Sequence, residues 1–264
     1  MENRILIKNE LYDIPAVFSY PDTGGRFPAI ILCHGTASCK DEAGNLFVRL
    51  AKSLIEKGIA SIRFDFAGCG ESRASLRDLT FFGEVSDTER VYSNLCQCNN
   101  IDSSRIGILG LSQGARVMAE FLGRYPKNIK VAVSWSGACH DKEGVFSGWF
   151  REYYEEAVKN GYAKIPLLWR NDFILPKKWF DDIRGSYPMK NLSLYEGAIL
   201  AVSGTEDFVV PYSHAREIIN ACKGKIREAK IVKGADHIFN VLQKDKPFAD
   251  EVIQYTANWI ATHI

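Results

Sequence analysis

No excess of either charge marks this chain: 33 Lys plus Arg stand against 32 Asp plus Glu in 264 residues, a formal net charge of +1. A basic domain or stripe, the usual electrostatic footprint of a nucleic-acid partner, is therefore missing. The sequence also lacks any run of about 20 apolar residues, the length a membrane-spanning helix needs. Its start, Met1-Glu-Asn-Arg-Ile-Leu-Ile-Lys8, has no apolar stretch of signal-peptide type. A cytoplasmic protein with no membrane and no nucleic-acid partner is expected; a homodimer is left open. Cysteine is modest, at seven residues (Cys33, Cys39, Cys69, Cys96, Cys98, Cys139 and Cys222), and an odd number cannot pair completely. Cys96-Gln-Cys98 lacks the two-residue spacer of redox and zinc motifs. Cys33 sits in an apolar run, where a free thiol behaves as a small hydrophobe. Such thiols fit a reducing compartment.

Several cofactor signatures are missing too. There is no Walker motif, and no His/Cys/Asp/Glu group has metal-ligand spacing, so neither a metal nor another cofactor is expected. The run Asp65-Phe-Ala-Gly68-Cys-Gly70-Glu-Ser72 approaches a dinucleotide fingerprint but fails it, because position 73 is Arg. No internal repeat or low-complexity tract is visible.

What the chain does contain is an ordinary globular composition, 46% hydrophobic and 25% charged. Strand-length, mainly apolar runs recur at Phe27–Cys33, Gly58–Phe66, Arg105–Gly110, Lys130–Trp135, Ala198–Val202 and Ala229–Val232. Runs of this kind suit strands buried on both faces of a parallel sheet. Between them lie stretches of helical spacing: Asp41–Lys57 before Gly58, Val85–Leu95, Gln113–Tyr125 before Pro126, Ser213–Cys222 and Phe248–Ile260. Two strand-like pieces, Arg4–Lys8 and Ile14–Tyr20, predict an antiparallel extension at the start. The succession predicts an α/β fold, a mostly parallel sheet with helices on both faces. Residues 138–195 break the rhythm. They hold 12 of the 31 aromatic residues, Trp149, Trp169 and Trp179 among them. The stretch is too apolar for a linker and too long for a crossover helix, so a helical cap over the sheet is expected. A packing unit with no substrate role is the competing reading.

One motif carries chemistry. Gly110-Leu-Ser112-Gln-Gly114 follows a strand and opens a helix, the setting in which a serine is lifted out of the sheet edge on a strained turn. A serine hydroxyl needs a base, and the base needs an acid to orient it. His237, in Gly234-Ala-Asp-His237, and Asp207, in Gly204-Thr-Glu-Asp207, both follow strand candidates. Their order, Ser…Asp…His, matches the α/β-hydrolase arrangement. Among the alternatives, Glu206 or Asp236 could replace Asp207, His214 opens a helix, His140 opens the inserted stretch, and His263 is the second residue from the end. His34-Gly35-Thr36 follows the first long strand. There the Thr36 backbone amide would supply one half of an oxyanion hole and the Gln113 amide the other. His34 itself is expected to brace that loop, with a substrate contact as its second reading.

Together these residues resemble the α/β-hydrolase superfamily over nearly the whole chain. More narrowly, Arg63-Phe-Asp-Phe-Ala-Gly-Cys-Gly-Glu-Ser72, the His34-Gly35 loop and the insertion before the acid-bearing strand resemble small bacterial cinnamoyl/feruloyl esterases. Ala115 and Cys69 depart from that group, where a glycine and a histidine are common. The resemblance implies a single domain over 1–264 with a cap at 138–195. It also implies a serine esterase acting on a small-molecule ester, with an aromatic acyl group shaped by Trp149, Trp169 and Trp179. A serine peptidase or amidase could use the same triad.

Overall fold

Successive residues along the central strands alternate between two separate cores, and this accounts for their mainly apolar character. Ile30 and Leu32 enter one core while Ala29, Ile31 and Cys33 enter the other. The computed structural model describes residues 1–140, 145–167, 169–170, 173–243, 245 and 248–264. The strands of the main sheet are β1 (Glu2–Ile7), β2 (Ile14–Ser19), β3 (Phe27–Cys33), β4 (Ala60–Phe64), β5 (Ile101–Leu111), β6 (Val131–Trp135), β9 (Ala198–Gly204) and β10 (Arg227–Val232). They line up in the order β1-β2-β4-β3-β5-β6-β9-β10. The pairs from β4 to β10 are parallel, whereas β1–β2 and β2–β4 are antiparallel, as the two leading strand-like pieces predict.

One core lies under α1 (Leu46–Ile55) and α8 (Phe248–His263), where Phe47, Leu50, Leu54, Val252 and Ile260 meet Val131, Val133, Trp135 and Leu200. The opposite core lies under α2 (Phe81–Gln97), α3 (Gln113–Arg124) and α7 (His214–Ala221). The helix expected from Asp41 begins only at Leu46, because Glu42, Gly44 and Asn45 all have φ between 55° and 59°. Its end matches expectation: Gly58, at φ 74°, lets the Ile59 amide donate back to the Leu54 carbonyl at 3.0 Å. Helix α2 starts four residues earlier than its apolar spacing indicates, since the Thr80 side chain caps it by accepting from the Gly83 amide.

The stretch between β6 and β9 is not purely helical. It contains α4 (Val145–Asn160), an antiparallel pair β7 (Tyr162–Lys164) and β8 (Ile174–Pro176), then α5 (Lys177–Gly185) and α6 (Pro188–Leu192). The period-2 signal of two three-residue strands is too short to read against a helical background. Phe146, Trp179, Phe180 and Ile183 of this stretch join the core beneath α2 and α3. Buried Arg116 of α3 ties it down, donating to the Ile183 carbonyl at 3.0 Å and to Ser186 Oγ.

Candidate active site

Parallel pairing brings the ends of β3 and β5 side by side, with Cys33 opposite Gly110. Ser112, one residue beyond β5, takes φ 54° and ψ −117°, a conformation that ordinary side chains avoid. Tertiary bonds hold it there: the Ser112 amide donates to the Trp135 carbonyl at 2.8 Å, and its own carbonyl accepts from Ala115 and Ala138 at 3.1 Å each. The motif's two glycines have separate steric reasons. A Cβ on Gly110 would come within 2.2 Å of the Gly114 carbonyl group, and one on Gly114 within 2.1 Å of the Cys33 carbonyl oxygen. Strand β5, strand β3 and helix α3 can approach this closely only without those side chains.

The residues expected as acid and base lie on the same sheet edge, beyond β6, at the ends of β9 and β10. Asp207 follows β9 and His237 follows β10, and these strands are parallel neighbours with Val232 opposite Gly204. Gly204 permits the close crossing of the two loops, since a Cβ there would sit 2.1 Å from the Ala235 carbonyl oxygen. His237 Nδ1 donates to Asp207 Oδ2 at 2.8 Å. The other oxygen, Asp207 Oδ1, accepts from the Val209 and Val210 amides at 2.8 Å each. With both oxygens engaged, the carboxylate has one orientation. The neighbours have other duties: Asp236 Oδ1 accepts from the Ile238 and Asn240 amides, and Glu206 is exposed. Ser112 Oγ and His237 are not hydrogen-bonded to each other among the described residues.

The loop after β3 is fixed by a carboxylate that sequence reasoning passed over. Glu42 accepts from the Gly35 amide through Oε1 and from Ser38 Oγ at 2.7 Å through Oε2. The side chains of Thr36 and Gln113 meet directly: Thr36 Oγ1 donates to Gln113 Oε1 at 2.7 Å. Gln113 Nε2 donates onward to Glu84, a buried carboxyl whose pKa is raised well above the usual carboxylate range because burial penalises its charge. The two residues whose amides were expected to cradle an anion are thereby linked through their side chains. Neither Glu42 nor Glu84 stands in a recognisable motif, so only the tertiary contacts reveal them.

His34 is 1% exposed, and both ring nitrogens are occupied. Nδ1 donates to the Gly35 carbonyl at 2.8 Å, and Nε2 accepts from the Phe66 amide at 3.1 Å. Burial lowers its pKa and keeps it neutral. Its placement is that of a brace between the β3 and β4 loops. The Asp65–Ser72 run is likewise structural. Buried Asp65 pairs with Lys40 Nζ at 2.7 Å and accepts from the Lys40 and Glu71 amides, while a Cβ on Gly70 would strike its carboxylate.

The three tryptophans part company. Trp179 is fully buried against Phe146, Trp149 and Phe180, with ring centroids 5.1–6.0 Å away. Trp149 is half-buried at the edge of this cluster, and Trp169 is exposed. None of the seven cysteines forms a disulfide, and burial pushes the Cys33, Cys69 and Cys222 thiols up to about 12, which keeps them protonated. Among the described residues, no helix is long and apolar enough to cross a membrane.

Residues 28–165 match the alpha/beta hydrolase fold family, and the chain belongs to it. Among solved structures it is similar to the ferulic-acid complex of Est1E from Butyrivibrio proteoclasticus, at a TM-score of 0.78 and 17% identity over 98% of each chain. It is also similar to the alpha/beta hydrolase GrgF from Penicillium sp. sh18, at a TM-score of 0.80 and 13% identity over 100% of this chain and 99% of that one. At these identities the likeness is one of fold. A curated relative, the Escherichia coli protein YcjY, is 29% identical over 122 residues, 44% of this chain and 39% of its own length. A 31.7 kDa protein of the traX-finO intergenic region of Escherichia coli is 33% identical over 101 residues, 38% of this chain and 34% of its own length. The chain thus matches little more than a third of the length of these curated relatives.

Proposed function

We propose that the protein is a serine esterase that cleaves a carboxylic ester through an acyl-enzyme, with Ser112 as nucleophile, His237 as base and Asp207 as its orienting acid. The observation that carries this reading is the Asp207–His237 pair, joined at 2.8 Å on the sheet edge where Ser112 stands at φ 54°. Ser112 Oγ attacks the ester carbonyl as His237 Nε2 takes its proton, and the Asp207 carboxylate stabilises the imidazolium. The bond between serine and histidine tightens as substrate binds in such sites. The Thr36 and Gln113 amides then hold the tetrahedral oxyanion, each donor contributing about 3 kcal/mol. His237 returns the proton to the leaving alcohol, and water releases the acid by the reverse steps.

Residues 138–195 serve in this reading as a cap on a single catalytic domain. Half-buried Trp149 at the rim of the insertion's aromatic cluster, together with the fold likeness to a structure that holds ferulic acid, supports an ester with an aromatic acyl group. Replacing Ser112 with Ala should lower p-nitrophenyl ester hydrolysis by at least 1,000-fold, roughly the scale of losing a triad nucleophile, without changing the unfolding midpoint. Retained hydrolysis, or faster cleavage of aminoacyl anilides than of esters by the unaltered protein, would overturn the assignment.

A further inference from the structure

Outside the triad, one cluster of side chains has a donor set suited to a metal ion. His140 lies on the chain that leaves β6 toward the insertion, two residues beyond Ala138, whose amide donates to the Ser112 carbonyl at 3.1 Å. His214 and Glu217 stand three residues apart in the first turn of α7, which follows the Asp207 loop. One turn apart on a helix, they share a face. His140 Nε2 meets Glu217 Oε2 at 2.8 Å, and the rings of His140 and His214 lie 4.6 Å apart between centroids. One donor atom from each of the three residues falls within 4.8 Å of the other two.

We infer that His140, His214 and Glu217 form a binding site for a divalent transition-metal ion of the zinc type. Two imidazoles and a carboxylate suit zinc, whereas calcium and magnesium take oxygen ligands. Tetrahedral zinc with bonds of about 2.0–2.1 Å places its ligand atoms roughly 3.4 Å apart. A spread of 4.8 Å needs only small side-chain rotations to close, and the half-exposed carboxylate of Glu217 is free to make them. Exposure rises from buried His214 through His140 to Glu217, so the ion enters from solvent and keeps a water as its fourth ligand. The ion clips the start of the insertion to the helix that follows the catalytic acid. It takes no part in the ester chemistry, and the site holds whether or not the protein is an esterase.

Sequence spacing does not reveal this site, because His140 and His214 are separated by more than seventy positions. Its test is calorimetric titration of ZnCl2 into the untagged full chain after chelator treatment. One equivalent should bind, and His140→Ala and Glu217→Gln should each weaken binding at least tenfold. Both replaced side chains reach solvent, so these variants test the site even if His214→Ala fails to fold. A Cys39→Ser/Cys96→Ser/Cys98→Ser variant should bind as the unaltered protein does, and cobalt in place of zinc should give a tetrahedral visible spectrum without a thiolate charge-transfer band. Zinc should raise the unfolding midpoint of the unaltered protein but not that of His140→Ala. Absence of binding, binding indifferent to His140→Ala and Glu217→Gln, or binding lost in the cysteine variant would each overturn the proposal.

Discussion

Asp207 illustrates how little freedom a single residue of this site retains. Oδ2 faces a donating imidazole N–H, and Oδ1 faces two donating backbone amides. An asparagine cannot satisfy both sides. With its NH2 toward His237, Nδ1 must accept, the ring proton moves to Nε2, and the base is lost. With its NH2 toward Val209 and Val210, donors confront donors. Asp207→Asn should therefore reduce kcat for ester hydrolysis by roughly 10³–10⁴ with little change in KM. Steady-state kinetics on a p-nitrophenyl ester checks this, and a loss under tenfold would remove Asp207 from the role.

At the scale of elements, the insertion between β6 and β9 divides its aromatic residues between packing and exposure. Trp179 is enclosed on every side, so Trp179→Ala should cost about 3–5 kcal/mol of stability and impair all esters alike. Trp149, at the rim of the same cluster, should behave differently. If the insertion shapes an aromatic acyl pocket, Trp149→Ala lowers kcat/KM for feruloyl and cinnamoyl esters at least tenfold more than for acetate esters. Equal losses for both substrate types would mark the insertion as packing alone.

For the molecule as a whole, the N-terminal hairpin is joined to α2 through a buried acid. Asp87 accepts from Tyr12 Oη at 3.0 Å and from Asn9 Nδ2 at 2.9 Å. Burial raises its pKa from 3.8 to about 7, opposed in part by the hydrogen bond from Tyr12. The folded state thus holds a proton that the unfolded chain releases near its ordinary value. Folded protein binds more protons between about pH 4 and pH 7, so stability falls as pH rises through that window and levels off above it. One proton corresponds to at most ~1.4 kcal/mol per pH unit. Glu84, also raised by burial, acts in the same direction. Urea unfolding from pH 5 to pH 8 should show this decline, and Asp87→Asn should flatten it. An unchanged slope in the variant would show that Asp87 is ionised in the folded protein throughout.

Local patterns in the chain determined much of this. Apolar runs of strand length specified the central sheet because strands buried on both faces carry no alternation to confuse. The elbow at Gly110–Gly114 was legible because its glycines and serine are contiguous, as were the loops that carry Asp207 and His237. Tertiary structure alone decided what depends on distant residues meeting. The Glu42 clamp on Gly35 and the Thr36–Gln113–Glu84 chain join separate elements, and so does the grouping of His140 with His214 and Glu217. The hairpin inside the insertion was hidden by its short strands. A hydrogen bond or a ligand set is a relation between positions, and only folding creates the relation.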